Sequence, residues 1–570
     1  MSNKDVAAAL EEIAQLMELS GENPFKIRSY VNGARLVEQL DEDIQGVVME
    51  GRLRELPGIG EALADKIQTL VETGALPFLE ELRAQFPDTI QELFQIPNLG
   101  PKRIKTLYKE LGVDTLAALE EALNAGRIAD LKGFGPKMQA KIQEGIEFAH
   151  AHAGQYLLIE AEKVVETLIP WLRKEPAVLH IAPAGSYRRS KEVVKDVDLV
   201  VASAKPKLVM QRFIEAPGVQ RVTNHGDTKS SVVWESGIHV DLRVVSEEAY
   251  PYALLHFTGS KEHNVVLRRR AKDRDLKLNE YGLFTDEDKL APCDDEVDIY
   301  KKLGLPYIPP ELREDMGEFE LEESPELLEM IDIRGVIHSH TTYSDGKDSL
   351  AEMVTGAQGR GYEYLHISDH SQSAAYAGGL READIERQHR EIDAINKKLK
   401  EFRVIKGIES DIRTDGSLDY EDDILGSFEL IVASVHSQLD MTEKEATQRL
   451  ITAVENPYTH ILGHPTGRLL LMRRGFPIHY DKLFDACIAN QVAIEINANC
   501  RRLDIDWRYI RRGRDKGVLF SIGPDAHRLD ALDNMRFGIG IARKGWLEAE
   551  HVLNTWKVED LLAWARKKKP

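Results

Sequence analysis

Apolar residues recur at helical spacing through the first 150 residues. Three short segments break that spacing in the same way, and each time the helical pattern then resumes. They are Leu56-Pro57-Gly58-Ile59-Gly60, Ile96-Pro97-Asn98-Leu99-Gly100 and Leu131-Lys132-Gly133-Phe134-Gly135. The pattern predicts an all-α region built on an internal repeat. Between about 155 and 245 it turns to mixed helix and strand. A smaller mixed segment follows over 246–315 and ends in the Pro-rich LPYIPPELRED. The acidic stretch GEFELEESPELLE reads as a linker or a first helix. From about 333 to the end, short β-rich runs alternate with helical segments, which predicts an α/β domain with a largely parallel sheet.

Two of the predicted strands carry acids. In Asp196-Val197-Asp198-Leu199-Val200-Val201, period-two alternation places both aspartates on one face and Val197, Leu199 and Val201 on the other. In His239-Val240-Asp241-Leu242-Arg243-Val244-Val245, Asp241 and Arg243 share a face. Paired side by side, the strands would gather three carboxylates, able to hold two Mg²⁺ ions about 4 Å apart. Upstream, Gly185-Ser186-Tyr187-Arg188-Arg189 offers backbone N–H groups, a hydroxyl and arginines to a triphosphate.

Beyond residue 333, apolar runs repeatedly end in metal-ligand types. The run 336–337 meets His338-Ser339-His340, 364–367 meets Ser368-Asp369-His370, and 404–408 ends at Glu409. The run 430–435 ends at His436, 460–463 at His464 and 492–496 at Asn497, while 519–523 leads to Asp525-Ala526-His527. Ligands at the C-terminal ends of seven strands predict a parallel β/α barrel with its active site on that face. Two histidines spaced as in His338-Ser339-His340 share one side of a strand and can hold one ion. Arg468, four residues after His464, is a weaker candidate to pair with a bound phosphate.

The glycine-bearing turns let the backbone approach a phosphate closely, and the helix after each offers free N–H groups. Copies roughly 35–40 residues apart, with Lys102, Arg103, Lys105, Lys137 and Lys141 nearby, favour sequence-neutral DNA-backbone binding over ordinary helix capping. Gly58, Gly60, Asn98, Gly100, Gly133 and Gly135 are the residues concerned, and Asn98 tolerates the left-handed geometry of the glycine it replaces. The net charge of −21 argues mildly against a protein that merely coats DNA. It does not argue against a DNA enzyme, since metal-holding acids count in that total and Arg268-Arg269-Arg270-Ala271-Lys272 is locally basic. Three scattered cysteines, an acidic amphipathic start without a signal-peptide pattern, and no apolar run of membrane length predict a cytoplasmic protein with no membrane partner.

GSYRRSKEVVKDVD resembles the active-site signature of the DNA polymerase beta-like family X polymerases, and HFTGSKEHNVVLRRRA resembles their nucleotide-binding thumb motif. The resemblance implies metal binding by Asp196, Asp198 and Asp241, with Asp241 helping to deprotonate a primer 3′-OH. It implies triphosphate binding by Ser186 and Arg189, and sugar packing by His256, Phe257, Thr258 and Gly259. Asn264 would touch the incoming base and Arg268 the template side. Ser190 and Lys195 stand where that family often has glycine, and His256 where its eukaryotic members have tyrosine. LPGIGEALADKIQTL resembles the family's lyase region and makes Lys66 a candidate Schiff-base nucleophile, against the reading of an exposed helix lysine.

The barrel set His338, His340, Asp345, His370, Glu409, His436, His464, Asp525 and His527, with the opening HSHTTYSDG, resembles the polymerase-and-histidinol-phosphatase (PHP) ligand set. By that resemblance His338, His340, Glu409 and Asp525 surround one ion. Glu409 bridges to a second held by His436 and His464, and Asp345, His370 and His527 hold a third.

Together the resemblances imply a multidomain chain: an all-α helix-hairpin-helix region, an α+β palm and thumb, and a seven-stranded barrel. The expected bounds are 1–80 (lyase-like), 81–153 (fingers-like), 154–246 (palm), 247–315 (thumb), 316–332 (linker) and 333–570 (PHP). The implied function is gap-filling DNA synthesis in base excision or end-joining repair. The barrel would add 3′→5′ exonuclease, 3′-end processing and abasic-site cleavage. Mg²⁺ or Mn²⁺ would serve the aspartates, and Mn²⁺ or Zn²⁺, up to three ions, the barrel. Gapped or nicked duplex DNA and dNTPs are the expected partners, and a monomer the expected state. The rival readings are a small-metabolite phosphoesterase with a degenerate nucleotidyltransferase half, and a non-catalytic DNA scaffold.

Overall fold

The computed structural model describes the chain apart from Ser2, Gln39, Asp41, Pro57, Gln95, Asn98, Lys569 and Pro570, and apart from the side chains of Lys4 and Asp88. It divides into two compact units, Met1–Ala153 and Gly154–Pro570.

The first unit is helical throughout its described residues. Its helices follow the apolar spacing of the sequence: Leu63, Ala64, Ile67 and Leu70 form the buried stripe of Glu61–Thr73. Pro101–Leu111 begins on a proline, whose missing N–H costs nothing in a first turn, and buries Ile104 and Leu107. These stripes join Leu10, Ile13 and Leu16 of helix Asn3–Ser20 in one core.

The second unit contains a five-stranded mixed sheet in the order His180–Pro183, Asp196–Ala202, His239–Val245, Lys229–Trp234, Val219–His225. Only the Asp196–Ala202 and His239–Val245 pair is parallel, and its register sets Asp198 opposite Asp241. Val197, Leu199, Val201, Val240 and Leu242 face a core shared with Ala161, Val164 and Leu168 of helix Leu158–Arg173. That burial leaves the aspartates on the opposite face. A smaller subdomain follows, with helices Tyr250–Thr258 and Lys261–Lys272 packed beside a two-stranded ribbon, Leu276–Asn279 with Gly282–Thr285.

Seven parallel strands then run in sequence order: Gly335–Ser339, Tyr364–Ile367, Arg403–Asp411, Leu430–Ser434, Ile461–Leu462, Ala493–Asn497 and Phe520–Gly523. A bridge between Ser339 and Ala526 brings the first and last together, so the sheet nearly closes into a barrel. Ile337, Ile405, Val432, Ile461 and Ala493 cluster with Leu561, Leu562 and Ala565 of helix Val558–Lys568. His460, just before the Ile461–Leu462 strand, lies 3.1 Å from the Ala565 carbonyl, so that helix stoppers the strands' N-terminal ends. The other end is left for chemistry, as in barrels generally.

The acidic segment after residue 316 is neither a helix nor a loose tether. It holds one turn, Glu318–Glu320, with Glu318 fully buried against His263. Leu328 N–H then donates to the Leu547 carbonyl on the barrel side. A buried carboxylate at one end and a backbone hydrogen bond from buried Leu328 at the other fasten the acidic stretch down.

Candidate active sites

On the five-stranded sheet, Asp196 and Asp198 leave the same edge of one strand while Asp241 faces Asp198 from the next. Burial first, and then the charges of Asp196 and Asp241, push the Asp198 carboxyl up to about 7. Burial and Asp241 also raise Asp196. Three acids held together against their own repulsion have the donor set of a divalent cation site. Lys229, on the neighbouring strand, lies 2.8 Å from Asp241 and supplies part of the missing positive charge. Gly185 sits hard against this site: with φ of 61°, any Cβ there would collide with the Asp198 carboxylate. The glycine of the Gly185-Ser186 pair is therefore dictated by the aspartate as well as by the turn.

The residues expected around a nucleotide are placed less uniformly. Ser186 is half-buried in the short helix Gly185–Arg188. Arg189 differs from expectation: its side chain is buried, with Nε 3.0 Å from Glu314 and a 2.7 Å bond to the Thr258 carbonyl. A buried guanidinium takes the nearest acceptors, and here those belong to the thumb-like subdomain. Arg188 likewise spans Glu296 with two bonds, of 3.0 and 2.7 Å. Phe257 stacks under the Arg243 guanidinium at 4.4 Å. Asn264 donates to the His256 carbonyl at 2.7 Å, with its Oδ1 against Gly259. Arg268 is exposed.

At the C-terminal mouth of the barrel all nine expected ligands converge. Ligand atoms of His340, Asp345, His370 and His527 lie within 4.8 Å of one another, and so do those of His338, His340 and Asp525, and of His370, Glu409 and His436. Glu409 is the hub: its oxygens stand 3.0 Å from His464 and His370, 3.3 Å from His436 and 3.4 Å from His338. These groupings differ in detail from the expected partition, since His340 and His370 each belong to two. Both rings sit between neighbouring clusters and so reach either one.

Electrostatics divide the cluster. Burial pushes His340 down to about 3, whereas His338, despite burial, is held well above the usual histidine range by Glu495, Glu409 and Asp525. His338 Nε2, both His340 nitrogens, His370 Nδ1, Glu409 Oε2 and His464 Nδ1 are buried without a hydrogen-bond partner. Buried polar atoms are otherwise almost always paired. Orphaned imidazole nitrogens and carboxylate oxygens aimed at common points are what divalent cations require, so the donor set fits metal ions.

In the helical unit, Gly58 and Gly133 take φ of 95° and 91°, which L side chains rarely adopt. Gly60 and Gly100 precede helices Glu61–Thr73 and Pro101–Leu111, and Gly135 opens helix Gly135–His152. Among the described residues, and leaving aside each glycine's chain neighbours and its own helix, nothing lies within 4 Å of a Cβ placed at Gly60, Gly100, Gly133 or Gly135, so these turns have room for an approaching ligand. Asn98 lies outside the described residues. Lys66 is half-exposed, 5.1 Å over the Phe78 ring and 3.3 Å from the Ala62 carbonyl. Asp65 pairs with Arg54 at 3.0 Å.

Family models match three stretches of the chain: a helix-hairpin-helix domain at 1–76, a SAM-like helix-hairpin-helix tandem at 90–147 and a DNA polymerase beta thumb at 253–314. The DNA polymerase/3′-5′ exonuclease PolX of Bacillus subtilis is 38% identical over 571 residues, covering 100% of both chains. The chain belongs to the PolX family. More distantly, it is 25% identical to human DNA-directed DNA/RNA polymerase mu, over 55% of this chain and 69% of that one. To Arabidopsis thaliana DNA polymerase lambda it is 24% identical, over 55% and 62%.

This PolX-family chain also places two carboxylates behind the candidate ligands that the sequence pattern did not single out. Fully buried Glu495 accepts from His338 Nδ1 and from the His464 N–H, the latter at 2.7 Å. Asp411 lies 2.6 Å from His436 Nδ1. Carboxylates behind ligand histidines fix the tautomer and the ring orientation. The signal was available for Glu495, a charge inside the apolar run Ala493–Asn497 and two residues from Asn497 on the same strand face. Arg468, expected beside a phosphate, instead donates to the Arg502 carbonyl at 2.9 Å and to the Leu503 carbonyl, and pairs with Asp506 at 3.3 Å. It braces the loop that carries Arg502. Among the described residues no helix is long and apolar enough to cross a membrane.

Proposed function

We propose that this chain is a cytoplasmic, monomeric DNA-repair enzyme. It fills short gaps by template-directed nucleotide transfer at the aspartate site and trims or incises 3′ ends at the barrel site. The observation that carries the reading is the end-to-end likeness to a relative whose name joins the two activities, in a chain that holds two separate cation-fitting clusters.

Asp196, Asp198 and Asp241 would hold Mg²⁺ or Mn²⁺. The barrel set, with Glu409 central, would hold Mn²⁺ or Zn²⁺, up to three ions. When bound, such ions lower the pKa of an attacking oxygen and neutralise charge on the phosphate under attack. The chain's own residues do the rest. Asp241, paired with Lys229 at 2.8 Å, would take the proton of a primer 3′-OH. The Ser186 hydroxyl meets the triphosphate. Arg189, committed to Glu314, shapes the pocket from behind. Phe257 and Gly259 bound the sugar, and Asn264, held on the His256 carbonyl, bounds the base. Gly58, Gly60, Gly100, Gly133 and Gly135 let the backbone approach duplex phosphates on either side of a gap or nick. Lys66, half-exposed over the Phe78 ring, is the lyase candidate. In the barrel, Glu495 and Asp411 keep His338 and His436 turned toward their shared ligand positions.

The test is a one-nucleotide-gapped, 5′-phosphorylated duplex with dNTPs and Mn²⁺. Asp198→Ala abolishes extension and keeps 3′ degradation, and His340→Ala does the reverse. Loss of both activities in either variant contradicts a two-site enzyme, and phosphate release from histidinol phosphate without DNA cleavage favours the metabolite reading.

A further inference from the structure

The buried pair His263 and Glu318 belongs to neither set of cation ligands, yet it joins two parts of the chain. His263 lies in helix Lys261–Lys272 beside Asn264, and Glu318 lies in the acidic segment expected as a linker. Both side chains are fully buried, and so is Tyr300. His263 Nδ1 stands 2.7 Å from Glu318, and its Nε2 stands 2.8 Å from the Tyr300 hydroxyl. Burial pushes His263 below the usual histidine range. Burial alone would raise Glu318, but its bond to His263 and backbone N–H groups hold it below the usual carboxylate range. A neutral ring that donates Nδ1–H to the carboxylate and accepts the phenol proton at Nε2 satisfies all three groups. Buried polar networks with every member satisfied are rigid.

That network is one of three grips the segment takes on the helix. At the helix start the Ser260 N–H donates to the Arg313 carbonyl at 3.2 Å. Phe319 stacks on the His263 ring with centres 4.7 Å apart, and its carbonyl accepts from Arg270 at 3.1 Å, two turns further along. Glu318 is itself fixed by the N–H groups of Asp315 and Met316, each at 2.7 Å. Behind it, Arg511 of the barrel donates to the Met316 carbonyl at 2.7 Å. On the nucleotide side, the His263 ring and the Asn264 side chain close on one glycine. A Cβ at Gly259 would lie 3.2 Å from the ring and 2.7 Å from Asn264 Oδ1.

We propose that Glu318 is a positioning residue for nucleotide transfer: through His263 it fixes helix Lys261–Lys272 so that Asn264 meets the incoming nucleotide. The inference rests on the reading of Asn264 as the residue that bounds the base. It adds that the acidic segment is a splint, and that the nucleotide pocket depends on a carboxylate that touches no nucleotide.

The experiment measures KM and kcat for the dNTP in filling a one-nucleotide gap, with the full chain and Mn²⁺, and the rate of 3′ degradation in the same preparations. Glu318→Ala raises KM about tenfold or more, the scale on which small misplacements are felt, and moves kcat less. Glu318→Gln, which keeps the shape and one acceptor, raises KM by a smaller factor. His263→Phe keeps the stack on Phe319 but loses the bond, and it raises KM as Glu318→Ala does. Combining these two variants adds less than about twofold to either, because the residues act as a unit. In Asn264→Ala, which itself raises KM, Glu318→Ala adds equally little. The rate of 3′ degradation is unchanged in every variant. Unchanged KM in both Glu318 variants overturns the proposal. So does a parallel loss of gap filling and 3′ degradation in Glu318→Gln, which marks a merely structural role, and so does full additivity with Asn264→Ala. An unchanged KM in Asn264→Ala overturns the base contact itself, whatever the Glu318 variants return.

Discussion

His338 and Asp525 hold φ of 72° and 51°, a left-handed conformation uncommon for any residue but glycine, though His and Asp adopt it more readily than most. A short list of bonds holds the ligands here, and Glu495 makes two of them, to His338 Nδ1 and to the His464 N–H. Glu495→Gln therefore lowers metal affinity of the barrel about 10–100-fold, read by elemental analysis after dialysis against graded chelator. Unchanged metal content would show that Glu495 is only a buried neighbour. At the other site, burial and two neighbouring carboxylates hold Asp198 at about 7. Its folded value is raised, so in metal-free protein stability falls as pH climbs from the ordinary carboxylate range toward 7. A divalent cation pulls that value down. Binding of Mg²⁺ at pH 7 then releases about half a proton, measured by calorimetry in two buffers of different ionisation enthalpy.

At the scale of elements, the strands were the most legible part of the chain. Alternation fixed the faces of Asp196–Ala202 and His239–Val245, because one face of each packs on a core and a one-residue slip would bury the acids. The seven barrel strands and their ligand-bearing ends were legible for a similar reason: fully buried strands read as short apolar runs, and the ligands interrupt them. Long-range commitments were not legible. Nothing near Arg189 in the sequence announces Glu314, and nothing near Arg188 announces Glu296, more than 100 residues on. Such pairs depend on how helices Tyr250–Thr258 and Glu296–Lys302 dock, which no local pattern encodes. Glu296 tests the docking. Despite burial, Arg313 and Arg188 hold its carboxyl down to about 2. A depressed folded value gives stability that is present above the ordinary 4.5 and lost as pH falls toward 2. Glu296→Gln leaves the fully buried Arg313 without its counter-charge and costs about 3–5 kcal/mol at pH 7. The melting temperatures of variant and wild type converge as pH approaches 2. A constant gap across that range would contradict the ion pair.

Over the whole molecule, the hydrolytic barrel is fastened to the nucleotide-transfer half by buried charge. Lys544 of the barrel is 1% exposed and donates to the Arg189 carbonyl at 3.0 Å, the Glu311 carbonyl at 3.1 Å and the Glu314 carboxylate at 2.6 Å. Nearby, Glu192 accepts from Trp507 at 2.9 Å and from Arg508 at 3.0 Å. Both networks grip the 185–195 segment, which carries Ser186 and leads to Asp196. Two chemistries therefore share one compact unit while their charged clusters stay separate. Anomalous scattering from crystals soaked in Mn²⁺ tests that separateness most directly. The account predicts density at the meeting point of Asp196, Asp198 and Asp241, and separate density among His338, His340, His370, Glu409, His436 and Asp525. Asp198→Ala should remove the first and His340→Ala should weaken the second, each leaving the other in place. Peaks absent from either cluster, or lost together in one variant, would contradict it.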